Sequence, residues 1–355
     1  MTNLPTLKIG NFKITPPIIQ GGMGVRVSGA NLAAAVANEG CVGVIAGVGL
    51  GKFENAPGSQ FIKLNNDALR EEIRKARKLS NGIIGVNLMV VLSNYTDLVQ
   101  IAVEENIDMI ISGSGLPLDL PKLVGDKDIK LVPIVSSARS LRVICQKWKK
   151  NYNKIPDAVI VEGPLAGGHL GYSADELVSN NPPLLENIVT EVVEFVKSGE
   201  LNIPVIAAGG IFDGKDIVKF LKLGASGVQL GTRFVCTEEC DVHEAFKKAY
   251  IDAKNIDDTT IIKSPVGLPG RVIKNAFVDK INKGETIPFK CNYRCLRTCD
   301  PKVAPYCIAK VLTNASNGLM DQAFAFSGIN SYRCDKIVTV KELVSQLSRE
   351  IKENL

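Results

Sequence analysis

Between Ile18 and Gly231 the chain alternates short apolar runs with longer stretches whose apolar positions recur at helical spacing. The runs are Ile18–Gln20, Val42–Ile45, Ile83–Leu88, Met109–Ile111, Leu131–Val135, Ala158–Val161, Val205–Ala208 and Gly227–Leu230. Each is continuous rather than alternating, as expected of parallel strands covered on both faces. The stretches between them predict helices. Gly29–Glu39 is rich in small residues. Asn66–Leu79 opens on an Asn/Asp cap signal and carries Leu69, Ile73 and Ala76 on one face. Leu98–Glu105, Ser140–Lys150, Leu184–Lys197 and Asp216–Leu223 follow the same rule. Eight strands alternating with helices specify a (β/α)8 TIM barrel or a doubly wound open sheet, both α/β folds. The even count and the glycines after the last strands favour the barrel.

After Arg233 the rhythm changes. Asp241–Ala253 reads as a helix and Thr259–Val266 as a strand, and the stretch on to Gly328 is irregular, basic and cysteine-bearing. Val340–Lys352 is an amphipathic helix with Leu343, Leu347 and Ile351 on one face. The expected organisation is a barrel over residues 1–235, a smaller domain or lid over 236–330, and a final helix over 331–355 that packs back on the barrel.

Composition narrows the function classes. With 45% hydrophobic and 22% charged residues, the chain has the balance of a soluble enzyme with a large core. Its net charge of +5 is unevenly placed: Arg271–Lys310 holds nine Lys/Arg against three Asp/Glu. That stretch lacks aromatic–basic interleaving or a reading helix, so nucleic-acid binding is not expected. It reads as a docking face for an acidic or phosphorylated partner, or as solvated surface. No apolar run has the length of a membrane span, and the amino terminus lacks a signal-peptide pattern, so the expected location is the cytoplasm. The nine cysteines then read as reduced thiols.

The chemistry-bearing motifs fall at predicted strand ends. Val159–Gly171 runs from a β-branched strand into the glycine turn Gly163-Pro164-Leu165-Ala166-Gly167-Gly168, which carries His169, one of two histidines. An imidazole there is the first candidate for acid/base work near neutral pH. Gly209-Gly210 ends the seventh strand, and Gln229-Leu230-Gly231-Thr232 ends the eighth. In barrels these two loops commonly hold phosphate through backbone amides. Gly21-Gly22-Met23-Gly24 ends the first strand, where exposed main chain and a soft methionine suit a flat ring. Asn87 sits in the third apolar run, where a buried amide needs partners. His243 lies in a charged helix and reads as structural. P-loop, HExxH and G-x-S-x-G motifs are missing. Cys291, Cys295, Cys299 and Cys307 are spaced more widely than the Cys-x2-Cys pairs of most zinc and iron–sulfur sites, so they read as reduced structural or redox thiols, with a metal site as the alternative and no metal ligand assigned.

Together these motifs resemble the nitronate monooxygenase family, formerly the 2-nitropropane dioxygenases, which also contains FMN-dependent enoyl-ACP reductase II. The resemblance rests on Pro17–Gly24, Gly85-Val86-Asn87, Ala166–Gly171, Ala207–Ile211 and Gln229–Phe234, in the family's order. It implies a TIM barrel binding FMN. Gly22 and Met23 would lie against the isoalloxazine, and Asn87 would bond its polar edge. Gly167, Gly210, Gln229, Gly231 and Thr232 would hold the ribityl and phosphate, with Gly168 and Gly209 in the same loops. His169 matches the active-site histidine. The implied activity is oxidation of an alkyl nitronate by O2 to a carbonyl compound and nitrite, with His169 pairing with the anion or abstracting the nitroalkane's proton. An NAD(P)H-dependent reductase acting on enoyl-ACP or a quinone is the alternative, and a non-catalytic flavin-binding sensor a third reading. One departure stands out: many relatives carry Gln where this chain has Glu162, also near the flavin. A carboxylate there opposes negative charge on a reduced flavin unless it is protonated or paired.

Overall fold

The computed structural model describes residues 3–54, 56–179 and 182–355. An antiparallel hairpin, β1 (Leu7–Ile9) and β2 (Phe12–Ile14), precedes the barrel. The barrel strands are β3 (Ile18–Gln20), β4 (Gly43–Ala46), β5 (Ile84–Met89), β6 (Met109–Gly113), β7 (Lys130–Val135), β8 (Val159–Glu162), β10 (Val205–Ala208) and β11 (Gly227–Leu230). They form one parallel sheet in the order β3-β11-β10-β8-β7-β6-β5-β4. Its two ends meet where Gln20 N donates to Val42 O at 2.9 Å and Val42 N donates to Ile18 O at 3.1 Å. The sheet is thereby all but closed into a barrel with helices outside.

Alternation along each strand fills two separate cores. Ile19, Val44, Met109, Ile111, Val132, Ile160 and Ile206 point inward and pack with one another. Their neighbours, including Val159, Val161, Val205 and Val228, face the helices. Leu7, Ile9 and Ile14 join the inward cluster, so the hairpin plugs the amino-terminal end of the barrel. The sequence pattern did not signal that hairpin, because three-residue strands carry too few positions to show alternation. The opposite end of the barrel stays free for chemistry.

Helix boundaries were moved by tertiary contacts. The second long helix spans Phe61–Leu79 and starts well before the Asn/Asp signal. Phe61 is buried against Phe53, with ring centroids 4.6 Å apart, and Asn65 inside the helix accepts from Gly51 N at 3.1 Å. Burial therefore extends the helix past its apparent cap. Conversely, Asp241 is excluded from the helix Glu244–Asp252. Its carboxylate instead accepts from Gly29 N at 2.8 Å and Leu32 N at 3.2 Å, satisfying the open amides of the helix Ala30–Asn38.

The stretch expected to be irregular contains more regular structure than its sequence shows. β12 (Thr259–Lys263) pairs antiparallel with β13 (Pro269–Ile273), and the two-residue β9 (Gly168–His169) joins as a third strand. Helices Ala276–Asn282 and Ile308–Ser316 follow. Their buried residues are continuous with the outer core of the barrel. The last helix, Val340–Asn354, starts at a Thr339/Glu342 capping box and lies on the helix Gly214–Lys222. The approach is so close that a Cβ on Gly214 would sit 2.3 Å from Glu350 Cβ. No helix among the described residues is long and apolar enough to cross a membrane.

Leu347 in this last helix is fully buried. Leu347→Ala is expected to lower unfolding stability by about 2–5 kcal/mol, read as a lower urea midpoint at unchanged slope.

Candidate active site

A cavity of about 410 Å³ opens at the carboxyl ends of the barrel strands. All twelve residues singled out in the sequence line it: Gly22, Met23, Asn87, Glu162, Gly167, Gly168, His169, Gly209, Gly210, Gln229, Gly231 and Thr232. They come from five strand ends, so only the barrel geometry brings them together.

The wall is built by main chain packed on main chain. A Cβ on Gly22 would meet Asn87 Cβ at 2.3 Å, so the first loop lies directly on the end of β5. A Cβ on Gly167 would meet Gly328 N and Ser327 C at 2.5 Å, which seats the loop after β8 on Ser327-Gly328. Gly209 and Gly210 adopt φ of +98° and +78°, a region that favours glycine. Gly210 O accepts from Asn330 Nδ2 at 2.7 Å. Beyond β11, Gly231 leads into the short helix Thr232–Val235, and Thr232 Oγ1 accepts from Gly328 N at 3.2 Å. One atom in this wall is unsatisfied: Gln229 Oε1 is buried without a hydrogen-bond partner. Leaving such an acceptor empty costs on the order of 1–3 kcal/mol, which a ligand donor placed there would recover.

The titratable groups are both driven toward neutrality. His169 sits in β9, paired to Gly270 of β13, with its ring edge-on to Phe326 at 4.8 Å between centroids. Its Nε2 lies 2.7 Å from Ser264 Oγ. Burial pushes the imidazole down to about 4. The ring is therefore neutral at pH 7, which corrects the expectation that it changes charge near neutrality. Glu162, the last residue of β8, is moved the other way: burial pushes its carboxyl up to about 7. Protonation, one of the two conditions that the departure at Glu162 calls for, is thus favoured by the surroundings below about pH 7.

The rest of the loop after β8 is held from outside the barrel. Tyr172 OH donates to Glu162 O at 2.7 Å, and buried Arg271 donates through Nη2 to Pro164 O at 2.9 Å. His243 lies outside the cavity lining, where Nδ1 accepts from Ala245 N at 3.1 Å and caps the helix Glu244–Asp252. Sequence reasoning missed the opposite wall, which Phe246, Tyr250, Leu268, Phe326 and Cys295 supply from beyond the barrel strands. It also missed Ser264. Neither carries a motif: the wall residues are ordinary apolar positions, and Ser264 matters only because the β12–β13 hairpin sets it beside His169.

The chain matches the nitronate monooxygenase family profile over residues 5–109 and 93–350. It is 30% identical over 271 residues to the (3aS,4S,5R,7aS)-5-hydroxy-7a-methyl-1-oxo-octahydro-1H-indene-4-carboxyl-CoA dehydrogenase of Mycobacterium tuberculosis. That match covers 76% of this chain and spans 66% of the relative's length. A probable nitronate monooxygenase of Staphylococcus saprophyticus is 27% identical over 350 residues, covering 88% of this chain and 86% of the relative. Among solved structures, FabK from Thermotoga maritima superposes with a TM-score of 0.73 at 29% identity, covering 95% of this chain and 93% of the other. Nitroalkane oxidase from Streptomyces ansochromogenes shares the fold, with a TM-score of 0.74 at 21% identity over 95% of this chain and 96% of the other. By its profile match and its relatives, the chain belongs to the nitronate monooxygenase family.

Proposed function

We propose that this protein is an FMN-dependent oxidoreductase that oxidises alkyl nitronates with O2 to carbonyl compounds and nitrite. The observation that carries the cofactor is the unpartnered Gln229 Oε1, set in a wall of glycine main chain beside Gly231-Thr232. These residues fit FMN: Gly167, Gly168, Gly209, Gly210, Gly231 and Thr232 offer backbone amides and a hydroxyl for ribityl and phosphate, while Gly22, Met23 and Asn87 offer a flat face and an amide. When bound, FMN supplies the redox chemistry, and the protein supplies orientation and electrostatics.

In this reading the second wall, drawn from residues 236–330, serves as the substrate side or lid. His169, neutral and held at Nε2 by Ser264, donates a hydrogen bond to an oxygen of the substrate's nitro group. Below about pH 7 Glu162 is protonated and places no negative charge beside an anionic substrate. The second reading, an NAD(P)H-dependent flavin reductase, is favoured by the 29% identity with FabK over 95% of this chain. The basic stretch Arg271–Lys310 would then meet nicotinamide phosphates or an acidic carrier protein.

Three measurements test these statements. Under anaerobic conditions a nitronate should bleach the flavin, and in air it should yield nitrite. Bleaching by NADH or NADPH alone, with no nitrite from nitronate, would overturn the first reading in favour of the second. His169→Ala should lower kcat by about 10²–10⁴-fold with flavin absorbance retained. For Glu162 the pH dependence has a definite sign. Below about 7 the carboxyl is neutral; above it the group ionises next to the substrate anion, so kcat/KM for nitronate should fall through that pH. Glu162→Gln should remove this fall while preserving activity at pH 6, and an unchanged profile would remove Glu162 from the account.

A further inference from the structure

Strand β8 directs Glu162 into the barrel. Ile160, two positions earlier, belongs to the inward-facing core, while Val159 and Val161 face the helices. Alternation therefore places the Glu162 side chain on the inner face, where it lines the cavity beside Ala208 of β10. Its main chain is pinned: Gly163 N donates to Ala208 O at 2.8 Å, and Tyr172 OH donates to Glu162 O at 2.7 Å. The carboxyl itself has no such support. Burial alone moves it, with no hydrogen bond and no neighbouring charge acting on it among the described residues. Among the described residues that line the cavity it is also the one Asp or Glu, and no Lys or Arg joins it there. A carboxyl removed from water is ordinarily paired or hydrogen-bonded. This one keeps its lone pairs open. The titratable groups near it are Tyr172, which burial first and then Glu162 and Glu176 raise, His169 on the same loop, and Tyr250 and Cys295 on the opposite wall.

His169 is the other group that could take a proton, and its hydrogen bonds assign it the opposite part. Ser264 Oγ accepts from Val266 N at 3.3 Å and lies 2.7 Å from His169 Nε2. The Ser264 hydroxyl then donates to Nε2, and the ring proton sits on Nδ1. In that tautomer His169 has an N–H to give and no vacant lone pair. The two groups on the opposite wall stay protonated: burial raises Tyr250, whose OH donates to Phe326 O, and pushes the Cys295 thiol up to about 12. We propose that Glu162 is the general base of this site: its carboxylate takes the α-proton of a neutral nitroalkane, so that the protein forms the nitronate inside its own cavity. This assignment rests on the reading of the cavity as a nitronate site. In the step the α-C–H bond breaks and its electron pair passes onto the nitro group. The proton goes to a Glu162 oxygen and on to solvent, and no electron leaves the substrate. His169 donates to the nitro oxygen that gains the charge. The ionised carboxylate that opposes a nitronate arriving from solution is thus the form that makes one from a neutral molecule.

The test follows, by proton NMR, exchange of the α-protons of nitroethane in D2O by the full chain without oxygen, which reads proton transfer apart from oxidation. Exchange above the protein-free rate should rise with pH and level off above about 7, where Glu162 is ionised. Glu162→Gln should lower it by about 10²–10⁴-fold, and Glu162→Asp should restore part of the loss. His169→Ala should exchange more slowly but with the rise at the same pH. A Glu162→Gln protein that exchanges like the wild type, or a rise lost in His169→Ala and kept in Glu162→Gln, overturns the proposal. If Glu162→Gln does not fold, the wild-type profile decides: a rise near pH 4, where His169 titrates, or no exchange at all, overturns it. Nitrite formation from ethyl nitronate in air is measured on the same samples. Exchange without nitrite counts against the nitronate reading, whereas nitrite without exchange counts against Glu162 as base and leaves that reading standing.

Discussion

How closely main chain can approach main chain at the strand ends is the constraint on which this molecule's cavity depends. Gly22 on Asn87, Gly167 on Ser327-Gly328, and Gly328 against Thr232 Oγ1 are contacts that a single added methyl would break. Each brings a loop from one barrel strand onto a neighbour or onto the segment beyond the barrel. A wall made this way exposes backbone amides and little side chain, which suits a planar, phosphate-bearing guest. Within this wall Gln229 Oε1 is buried without a hydrogen-bond partner from the protein.

Burial then sets the chemistry. The cavity moves its acid and its base in opposite directions, Glu162 up to about 7 and His169 down to about 4, because both charged forms lose solvation there. The imidazole is thereby uncharged at neutral pH, while the carboxyl titrates close to it. His169 is held by Ser264, and Phe246, Tyr250, Leu268 and Phe326 line the cavity from beyond the barrel strands.

The barrel was legible because its signal is local and repeated. Continuous apolar runs identify parallel strands without knowledge of their partners, and all eight runs became barrel strands. The region after Arg233 was legible only at its ends. Its β13 strand and its helices Ala276–Asn282 and Ile308–Ser316 are short, and each is stabilised by what lies against it more than by its own periodicity. The misplaced start at Asn66 and the misread Asp241 have one cause: residues that look like caps for their own helix bond elsewhere in the tertiary structure.

By itself, then, the sequence determined the alternating α/β architecture and the glycine, amide and histidine positions at the strand ends, since strand periodicity and glycine's backbone freedom are properties of short segments. Tertiary structure alone decided the rest. Ser264 reaches His169 from 95 positions away. The charge states of His169 and Glu162 follow from burial that no local pattern encodes. Distance along the chain carries no information about such contacts; they exist only once the barrel strands and the segment after Arg233 have packed together.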